Sequence, residues 1–332
     1  MLSFLRVNNP SIVFFNIFLI IAFRIIAFIY PFDTTNTFLH DEPLSTVLST
    51  VYYSLGSLGY PIFIVLGGIV VFIQSLYINK IANYHRFSSR KTFLGGIIYI
   101  CFVSFFKQFL ILSPVMMATT FLVLIVDDLF NLAKQEKMPL QVFNLGFHSM
   151  LATLFYFPSI LFIAIVYIGM YTVRAITFKE NIIVWMGVLS PILVTFTWYF
   201  WMDNLSYLPF YITNFLHKKP LYIRFHWQYG WVMIWLSLLF IWSLFNVQFL
   251  LSSAGILVRK FVGIFIFMLF FLIGGYFLQT NFIEDHWLLL SLPLAMLVFL
   301  YFVETKINFI SEILFILLIL SVFISQIILS IF

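Results

Sequence analysis

Long apolar runs, separated by short polar segments, dominate the chain. Eleven of these runs approach the roughly 20 residues that a helix needs to cross the hydrocarbon core of a bilayer. They cover residues 11–30, 61–79, 92–112, 114–130, 142–157, 159–176, 182–202, 231–251, 261–278, 287–303 and 310–331. The pattern predicts an all-α fold, a polytopic transmembrane helical bundle of about 11 spans that forms a single integral membrane domain over residues 1–332.

Proline separates two pairs of neighbouring runs. Ser113-Pro114 divides the third run from the fourth, and Phe157-Pro158 divides the fifth from the sixth. A proline in such a place either kinks one long helix or begins a new one. Each pair is too long to cross a bilayer once, so we interpret both as hairpins, with a kinked helix as the alternative.

Basic residues in the connections predict the orientation. If the N-terminus is cytoplasmic, the inner connections contain 12 of the 17 Lys and Arg residues, and the outer ones contain only Lys107, Lys218, Lys219 and Arg224. Such an excess on the cytoplasmic side is typical of membrane proteins. The predicted topology is N-in/C-out, with two long outer connections at residues 31–60 and 203–230.

The first outer loop contains a short amphipathic pattern. Apolar residues recur at helical spacing from Leu44 to Leu58, directly after Pro43, and hydroxyl side chains lie between them. Proline suits the first turn of a helix, and a helix with one apolar face can lie in the plane of the interface. We expect an interfacial amphipathic helix here.

Composition excludes other classes of protein. Hydrophobic residues make up 63% of the chain and charged residues 9%, with a mean hydropathy of +1.10, whereas about a quarter of the residues in soluble domains are charged. The net charge of +5 is explained by the orientation signal, so we expect contact with membrane lipid and no nucleic-acid partner. Cys101 is the only cysteine, which excludes an intramolecular disulfide.

Three carboxylates in the first outer loop are candidate catalytic groups: Asp33, Asp41 and Glu42. Asp41 and Glu42 immediately precede Pro43, so one of them could cap the predicted helix and both could complement its dipole. A carboxylate at the membrane–water boundary can also serve as a general base toward a hydroxyl group. The two roles are compatible, because a capping residue can also face a cavity.

Arg24 lies in the outer half of the first run. A charge at that depth costs a few kcal/mol unless it is compensated. Its side chain could snorkel toward the lipid headgroups. It could instead pair with one of the three carboxylates or bind a phosphate through two parallel hydrogen bonds.

The second outer loop has a basic cluster that runs against the orientation trend. Lys218, Lys219 and Arg224 would suit the phosphate of a lipid carrier, and Tyr211 and Trp227 could stack on a sugar or a lipid chain. The alternative is an aromatic belt whose loop charges face anionic lipid.

The remaining polar residues point to structure more than to chemistry. The triplets His40-Asp41-Glu42 and Glu284-Asp285-His286 could offer ligands to a divalent cation, but adjacent residues rarely point at one ion, so we predict no metal and no other cofactor. We expect Asp127 and Asp128 to be solvated at an inner span end, and His148 and Gln326 to join helices.

The arrangement resembles the GT-C superfamily, polytopic glycosyltransferases that take a sugar from a polyprenyl-phosphate carrier on the non-cytoplasmic face. In that superfamily the first span leads into an outer loop with acidic residues and interfacial helices, which the three carboxylates and the helix after Pro43 resemble. A second functional outer loop lies between spans seven and eight, here residues 203–230. The resemblance covers the architecture of roughly the first 250 residues.

This resemblance implies an inner-membrane glycosyltransferase that moves a sugar from its polyprenyl-phosphate donor to an acceptor on the periplasmic face of a bacterial inner membrane. One of the three carboxylates would deprotonate the acceptor, and the carrier's phosphate would be bound by Arg24, Lys218, Lys219 and Arg224. The alternatives are a transporter or flippase for a lipid-linked substrate, and a non-catalytic membrane subunit of an envelope complex. The chain also looks like a family of bacterial inner-membrane proteins, a resemblance that implies no activity.

Overall fold

The fold is a bundle of α-helices. The computed structural model describes residues 5–6, 11–34, 36–38, 40–88, 91–134, 138–205, 207, 227–253, 255–278, 283–305 and 309–331. Within those ranges there are twelve α-helices and no strand. In chain order the helices are α1 Ser11–Ile29, α2 Pro43–Ser54, α3 Gly59–Tyr84, α4 Leu94–Val103, α5 Pro114–Leu132, α6 Pro139–Phe155, α7 Leu161–Val173, α8 Phe178–Trp201, α9 Trp227–Ser253, α10 Ile256–Gly274, α11 Ile283–Glu304 and α12 Phe309–Ile331.

Each predicted apolar run overlaps a helix, and α2 forms where the interfacial helix was expected. New helices begin near both prolines. The Ser113 hydroxyl caps α5 by accepting a hydrogen bond from the Met116 backbone N–H at 3.1 Å, and Pro158 lies in a 3₁₀ turn between α6 and α7. A single kinked helix is therefore excluded at either site, and proline occupies the first turn, where its missing N–H costs nothing.

Helix length and composition make the chain a multi-pass membrane protein. Seven helices within the described ranges are long and apolar enough to cross a membrane: α1, α3, α5, α8, α10, α11 and α12. Many large apolar side chains face outward, such as Phe14 on α1 and Leu193 on α8, which are 74% and 62% exposed. Such surfaces are stable in hydrocarbon and would be costly in water.

One predicted helix is broken. The run 92–112 was expected to be one helix, but α4 ends at Val103 and a separate 3₁₀ turn follows at Lys107–Leu110. All residues from 94 to 106 are buried. Irregular backbone is tolerated at membrane depth only where protein surrounds it and satisfies its polar groups.

Side chains of α12 supply the partners that the break requires. The Gln326 amide nitrogen donates a hydrogen bond to the Ser104 carbonyl, and the Ser325 hydroxyl donates to the Phe105 carbonyl at 3.0 Å. Farther along, the Leu112 N–H donates to the Phe63 carbonyl on α3 at 3.0 Å. The prediction that Gln326 joins helices is confirmed.

Two acidic residues of α5 are paired within the bundle, so the expectation that they are solvated is wrong. Asp127 lies 2.7 Å from the Lys80 ammonium on α3, and Asp128 lies 3.3 Å from Nδ1 of His148 on α6. Charged groups that leave water require such partners. These contacts join α5 to both of its neighbours.

The helix ends gather at two opposite ends of the bundle. At one, which we call the Glu42 end, residues 40–43 contact the turn after α6 and the last turn of α8. At the other, the His85 end, the C-terminus of α3 contacts Lys134 and Phe261. Helix α3 runs from one end to the other.

Helices α6 and α8 cross with backbone against backbone. A Cβ atom added to Gly146 would lie 2.1 Å from the Val184 carbonyl oxygen, and one added to Gly187 would lie 2.2 Å from the Phe143 carbonyl oxygen. Small residues allow this close approach, on which helix association in membranes depends.

The Gly187→Ala substitution should lower the free energy of unfolding by about 1–3 kcal/mol, because its methyl group meets rigid backbone. Gly263→Ala on α10 is the matched control, since nothing lies within 4 Å of its added Cβ and alanine favours a helix. Thermal unfolding in detergent measures both. Equal melting temperatures for the two variants would contradict the close crossing.

Candidate functional site

Aromatic packing fixes the first loop against the bundle. The Phe38 ring stacks on Tyr52 of α2 at a centroid distance of 4.2 Å and meets Phe63 of α3 edge-on at 5.8 Å. The Tyr52 hydroxyl lies 2.8 Å from the Thr34 hydroxyl. Since offset and edge-on aromatic pairs each add stability, this cluster holds the chain on both sides of residues 40–42 in place.

Glu42 is the buried carboxylate of this loop. Its side chain does not cap α2; instead Oε1 accepts a hydrogen bond from the Phe157 backbone N–H at 3.1 Å. The other oxygen, Oε2, has no hydrogen-bond partner in the described part of the chain and lies 3.8 Å from Nδ1 of His40. One oxygen is thus held in position while the other is left to accept a proton, which is the arrangement a general base needs.

A tyrosine–histidine pair lies beside this carboxylate. The Tyr156 hydroxyl is 3.1 Å from Nδ1 of His286, whose Nε2 is 2.5 Å from the Leu272 carbonyl oxygen. Because a carbonyl oxygen can only accept, Nε2 must hold the ring proton and Nδ1 must accept from the tyrosine. The His40 ring packs edge-on against Tyr156 at 5.6 Å, so Glu42, His40, Tyr156 and His286 form one continuous group, which we call the Glu42 cluster.

This pairing bears on the metal hypothesis. Both ring nitrogens of His286 are engaged by Tyr156 and Leu272, so neither is directed at an ion in this arrangement. The side chains of Glu284 and Asp285 lie outside the described residues. Among the residues that are described, no group of three His, Cys, Asp or Glu side chains is placed to hold a metal.

Two tyrosines, one in the last turn of α8 and one in the loop that follows it, cover residues 41–43. The Tyr207 hydroxyl donates to the Asp41 carbonyl at 2.5 Å and the Tyr199 hydroxyl donates to the Pro43 carbonyl at 3.4 Å, while their rings stack at 5.1 Å. Burial, followed by the neighbouring Tyr199, raises the pKa of Tyr207 to about 12. The phenol therefore stays protonated and acts as a donor. In the sequence, only the position of Tyr207 in the second long loop indicated that it could contact the site.

The three candidate carboxylates differ in their surroundings. Asp33 and Asp41 are exposed, whereas Glu42 is 8% exposed. The second-loop candidates Tyr211, Lys218, Lys219 and Arg224, and the side chain of Trp227, lie outside the described residues. Geometry therefore selects Glu42 among the acids, and the cationic half of the predicted site stays a prediction.

Arg24 lies apart from the Glu42 cluster. It is 4% exposed, and Nε, Nη1 and Nη2 are buried with no hydrogen bond to any described residue. Its chain passes Gly68 of α3, where an added Cβ would lie 3.3 Å from Cδ and Nε. The proposed ion pair with Asp33, Asp41 or Glu42 is absent from the described ranges, and the buried guanidinium does not reach the protein surface.

A cavity of about 440 Å³ opens beside Arg24, between α1 and α3. Apart from Arg24, every residue that lines it is apolar or glycine, among them Ile21, Phe28 and Phe72. None of the three carboxylates borders it. The shape and lining suit a hydrocarbon chain.

The Tyr156→Phe substitution should destabilise the fold by about 1–3 kcal/mol, because Nδ1 of the buried His286 loses its donor. Tyr171→Phe is the control, since Tyr171 is 64% exposed. Thermal unfolding of the two purified variants provides the comparison. Indistinguishable unfolding curves would mean that the hydrogen bond between Tyr156 and His286 does not stabilise the fold.

Comparisons with known proteins leave the site to be interpreted from its own geometry. No protein-family model, curated protein or solved structure matches this chain. Function resides in sites and not in folds. The buried Glu42, its two histidine neighbours and Tyr156 are therefore the observations from which an activity must be argued.

Proposed function

We propose that the chain is a glycosyltransferase of a bacterial inner membrane that moves a sugar from a polyprenyl-phosphate carrier to an acceptor on the periplasmic face. Glu42 is the general base in this proposal. The observation that carries it is the Glu42 carboxylate, buried at a bundle end with Oε1 held by the Phe157 N–H and Oε2 without a hydrogen bond. The GT-C resemblance of the sequence supplies the reaction class.

The reaction would be a direct displacement. Oε2 of Glu42 takes the proton of the acceptor hydroxyl. At the same time the hydroxyl oxygen forms a bond to the anomeric carbon of the sugar, and the bond from that carbon to the phosphate oxygen breaks. The electron pair leaves with the carrier phosphate. Stabilising that charge requires cations aimed at the leaving group, a role that the proposal gives to Lys218, Lys219 and Arg224, with Tyr211 and Trp227 stacked on the sugar.

The cavity beside Arg24 gives the carrier's hydrocarbon a place in this proposal. Its lining is apolar and it lies on α1 and α3, the two helices that flank the first loop. The Arg24 nitrogens are covered, so a phosphate reaches them only if a side chain of the wall moves. For that reason the proposal assigns phosphate binding first to Lys218, Lys219 and Arg224 of the second long loop, and only then to Arg24.

The membrane topology that fits this reaction has eleven crossings, with an N-terminus in the cytoplasm. Contacts between chain segments support it. At the His85 end the Arg6 guanidinium donates to the Thr305 carbonyl at 2.7 Å and the Lys260 ammonium donates to the Val173 carbonyl at 3.1 Å. At the Glu42 end the starts of α7 and α11 meet residues 40–42. These contacts support helix ends that gather at two opposite surfaces, and the seven helices long and apolar enough to cross a membrane are the core of the proposed topology.

A transporter or flippase is less well supported. Alternating access needs a polar path near the middle of the membrane. Two cavities in the described part of the bundle, of about 440 and 660 Å³, are lined mainly by apolar residues and offer no such path. The buried base at one end favours chemistry at that surface, and no specific observation favours a purely structural subunit.

Cysteine labelling tests the topology. Asn204→Cys should react with a membrane-impermeant maleimide on intact spheroplasts, and Lys134→Cys should react only after permeabilisation, because the two positions lie at opposite ends of the bundle. The wild-type protein is a suitable background, since Cys101 is buried. The same labelling pattern for both variants would contradict the topology.

The Glu42→Gln substitution should reduce transfer from a polyprenyl-phosphate sugar by at least about a hundredfold, the usual contribution of a general base. Glutamine can still accept from the Phe157 N–H, so the fold should survive, and the melting temperature checks this. Asp41→Asn and Asp33→Asn are the matched controls, because both carboxylates are exposed. Unchanged turnover in Glu42→Gln would remove Glu42 from the mechanism.

A further inference from the structure

Basic side chains converge on a cavity at the His85 end. The cavity has a volume of about 740 Å³ and is lined by Lys80, His85, Arg86, Lys91 and Lys134, together with three uncharged residues. It lies at the opposite end of the bundle from the Glu42 cluster and contains none of its residues. An open cavity with four permanent cations and no acid among the described residues that line it is an electropositive site.

The charges around this cavity are poorly compensated. Lys80 is paired with Asp127 at 2.7 Å, but Arg86, Lys91 and Lys134 have no ion pair in the described ranges. The Lys134 ammonium instead donates to the Tyr84 carbonyl at 2.9 Å and lies 3.3 Å from the centre of the Tyr84 ring. Burial, and next the charge of Arg86, lowers the pKa of Lys134. The cations therefore repel one another.

His85 gives the cavity wall a buried polar group without a partner. It is 5% exposed, its ring packs edge-on against Phe130 and Phe261, and neither Nδ1 nor Nε2 has a hydrogen bond among the described residues. Burial, and then the charges of Lys134 and Lys80, lowers the pKa of His85 to about 3. The neutral ring keeps one N–H donor. Leaving it unpaired in the buried wall is costly.

Arg86 occupies a position that normally belongs to glycine. The Phe87 N–H bonds back to the Ala82 carbonyl at 3.0 Å, which closes α3 in the manner of a Schellman motif. Arg86 stands at the left-handed position of that motif, with φ of 53°. Unfavourable backbone of this kind is often found at binding sites, and here it places a guanidinium on the cavity.

We propose that this cavity binds the phosphate group of an anionic ligand, presented either by a phospholipid headgroup or by a soluble phosphomonoester. Arg86 can hold two phosphate oxygens at once, and Lys91 and Lys134 contribute charge. The covered His85 N–H gains an acceptor once a side chain of the wall moves to admit the ligand. The volume leaves room for the group that the phosphate is attached to. Binding here requires no activity at the Glu42 cluster.

Two probes that have the same phosphomonoester group, phosphatidic acid and glycerol 3-phosphate, distinguish a lipid headgroup from a soluble ligand. The purified full-length protein is placed in nanodiscs of phosphatidylcholine with or without phosphatidic acid, and separately in phosphatidylcholine alone with glycerol 3-phosphate. The readouts are the lipid retained in native mass spectrometry and the shift in melting temperature. Stabilisation by phosphatidic acid only assigns a lipid headgroup, and stabilisation by glycerol 3-phosphate assigns a soluble ligand. If neither probe stabilises the protein, the proposal is overturned.

The variant Arg86→Gly tests the site itself. It removes a cation and relieves the left-handed backbone, so folding should be preserved or improved while the affinity for the effective probe falls about tenfold, as expected for the loss of one charge-assisted contact. Arg259→Gln is the control, because this exposed arginine at the same end of the bundle lies outside the cavity lining. Lys134→Gln, whose backbone is unstrained, should weaken binding similarly. Equal affinities in Arg86→Gly and Arg259→Gln would overturn the proposal.

Discussion

The structure depends on one constraint: a backbone group that leaves water inside a membrane must find its partner within the protein. Seven long apolar helices in the described part of the chain meet this requirement, but the segment after Val103 does not. Its carbonyls are satisfied by the side chains of Ser325 and Gln326, more than 200 residues away. The final helix α12, otherwise strongly apolar, is thereby tied to the centre of the bundle. The burial of residues 94–106 follows from the same need, because lipid offers no hydrogen bonds.

Polar groups are therefore concentrated where they can be paired or reach water. Within the described part of the bundle the interior has small bonded sets, such as the Tyr99 hydroxyl, which donates to Gln74 at 2.8 Å, and the Gln74 amide, which donates to Thr120 at 2.7 Å. The buried guanidinium of Arg24 is an exception. Most of the titratable groups discussed above lie near the two ends, with Glu42 and two histidines at one and a group of cations around His85 at the other. This distribution favours two separate surface chemistries over a polar route that connects them.

Sequence alone predicted the helices because apolar run length is a local property, and it predicted α2 because Pro43 and helical spacing are also local. It did not predict the break in α4, since Ser104, Phe105 and Phe106 continue an apolar run and their partners lie far along the chain. The Tyr156–His286 contact spans 130 residues and leaves no local pattern. The choice of Glu42 over Asp41 likewise depended on Phe157, a residue brought close only by folding.

Several departures from ordinary rules lie where a ligand could satisfy them. Oε2 of Glu42, both ring nitrogens of His85 and the whole Arg24 guanidinium are buried without hydrogen bonds to the described residues, and Arg86 adopts a backbone that suits glycine. Each costs stability by itself. Sequences tend to violate local rules at functional sites and compensate elsewhere. Oε2 of Glu42 lacks a hydrogen-bond donor, and Arg24 lacks an anion. At the other end, the ring N–H of His85 lacks an acceptor, and Arg86 has no ion pair among the described residues. The missing partners are therefore those that an acceptor hydroxyl and a phosphate would supply.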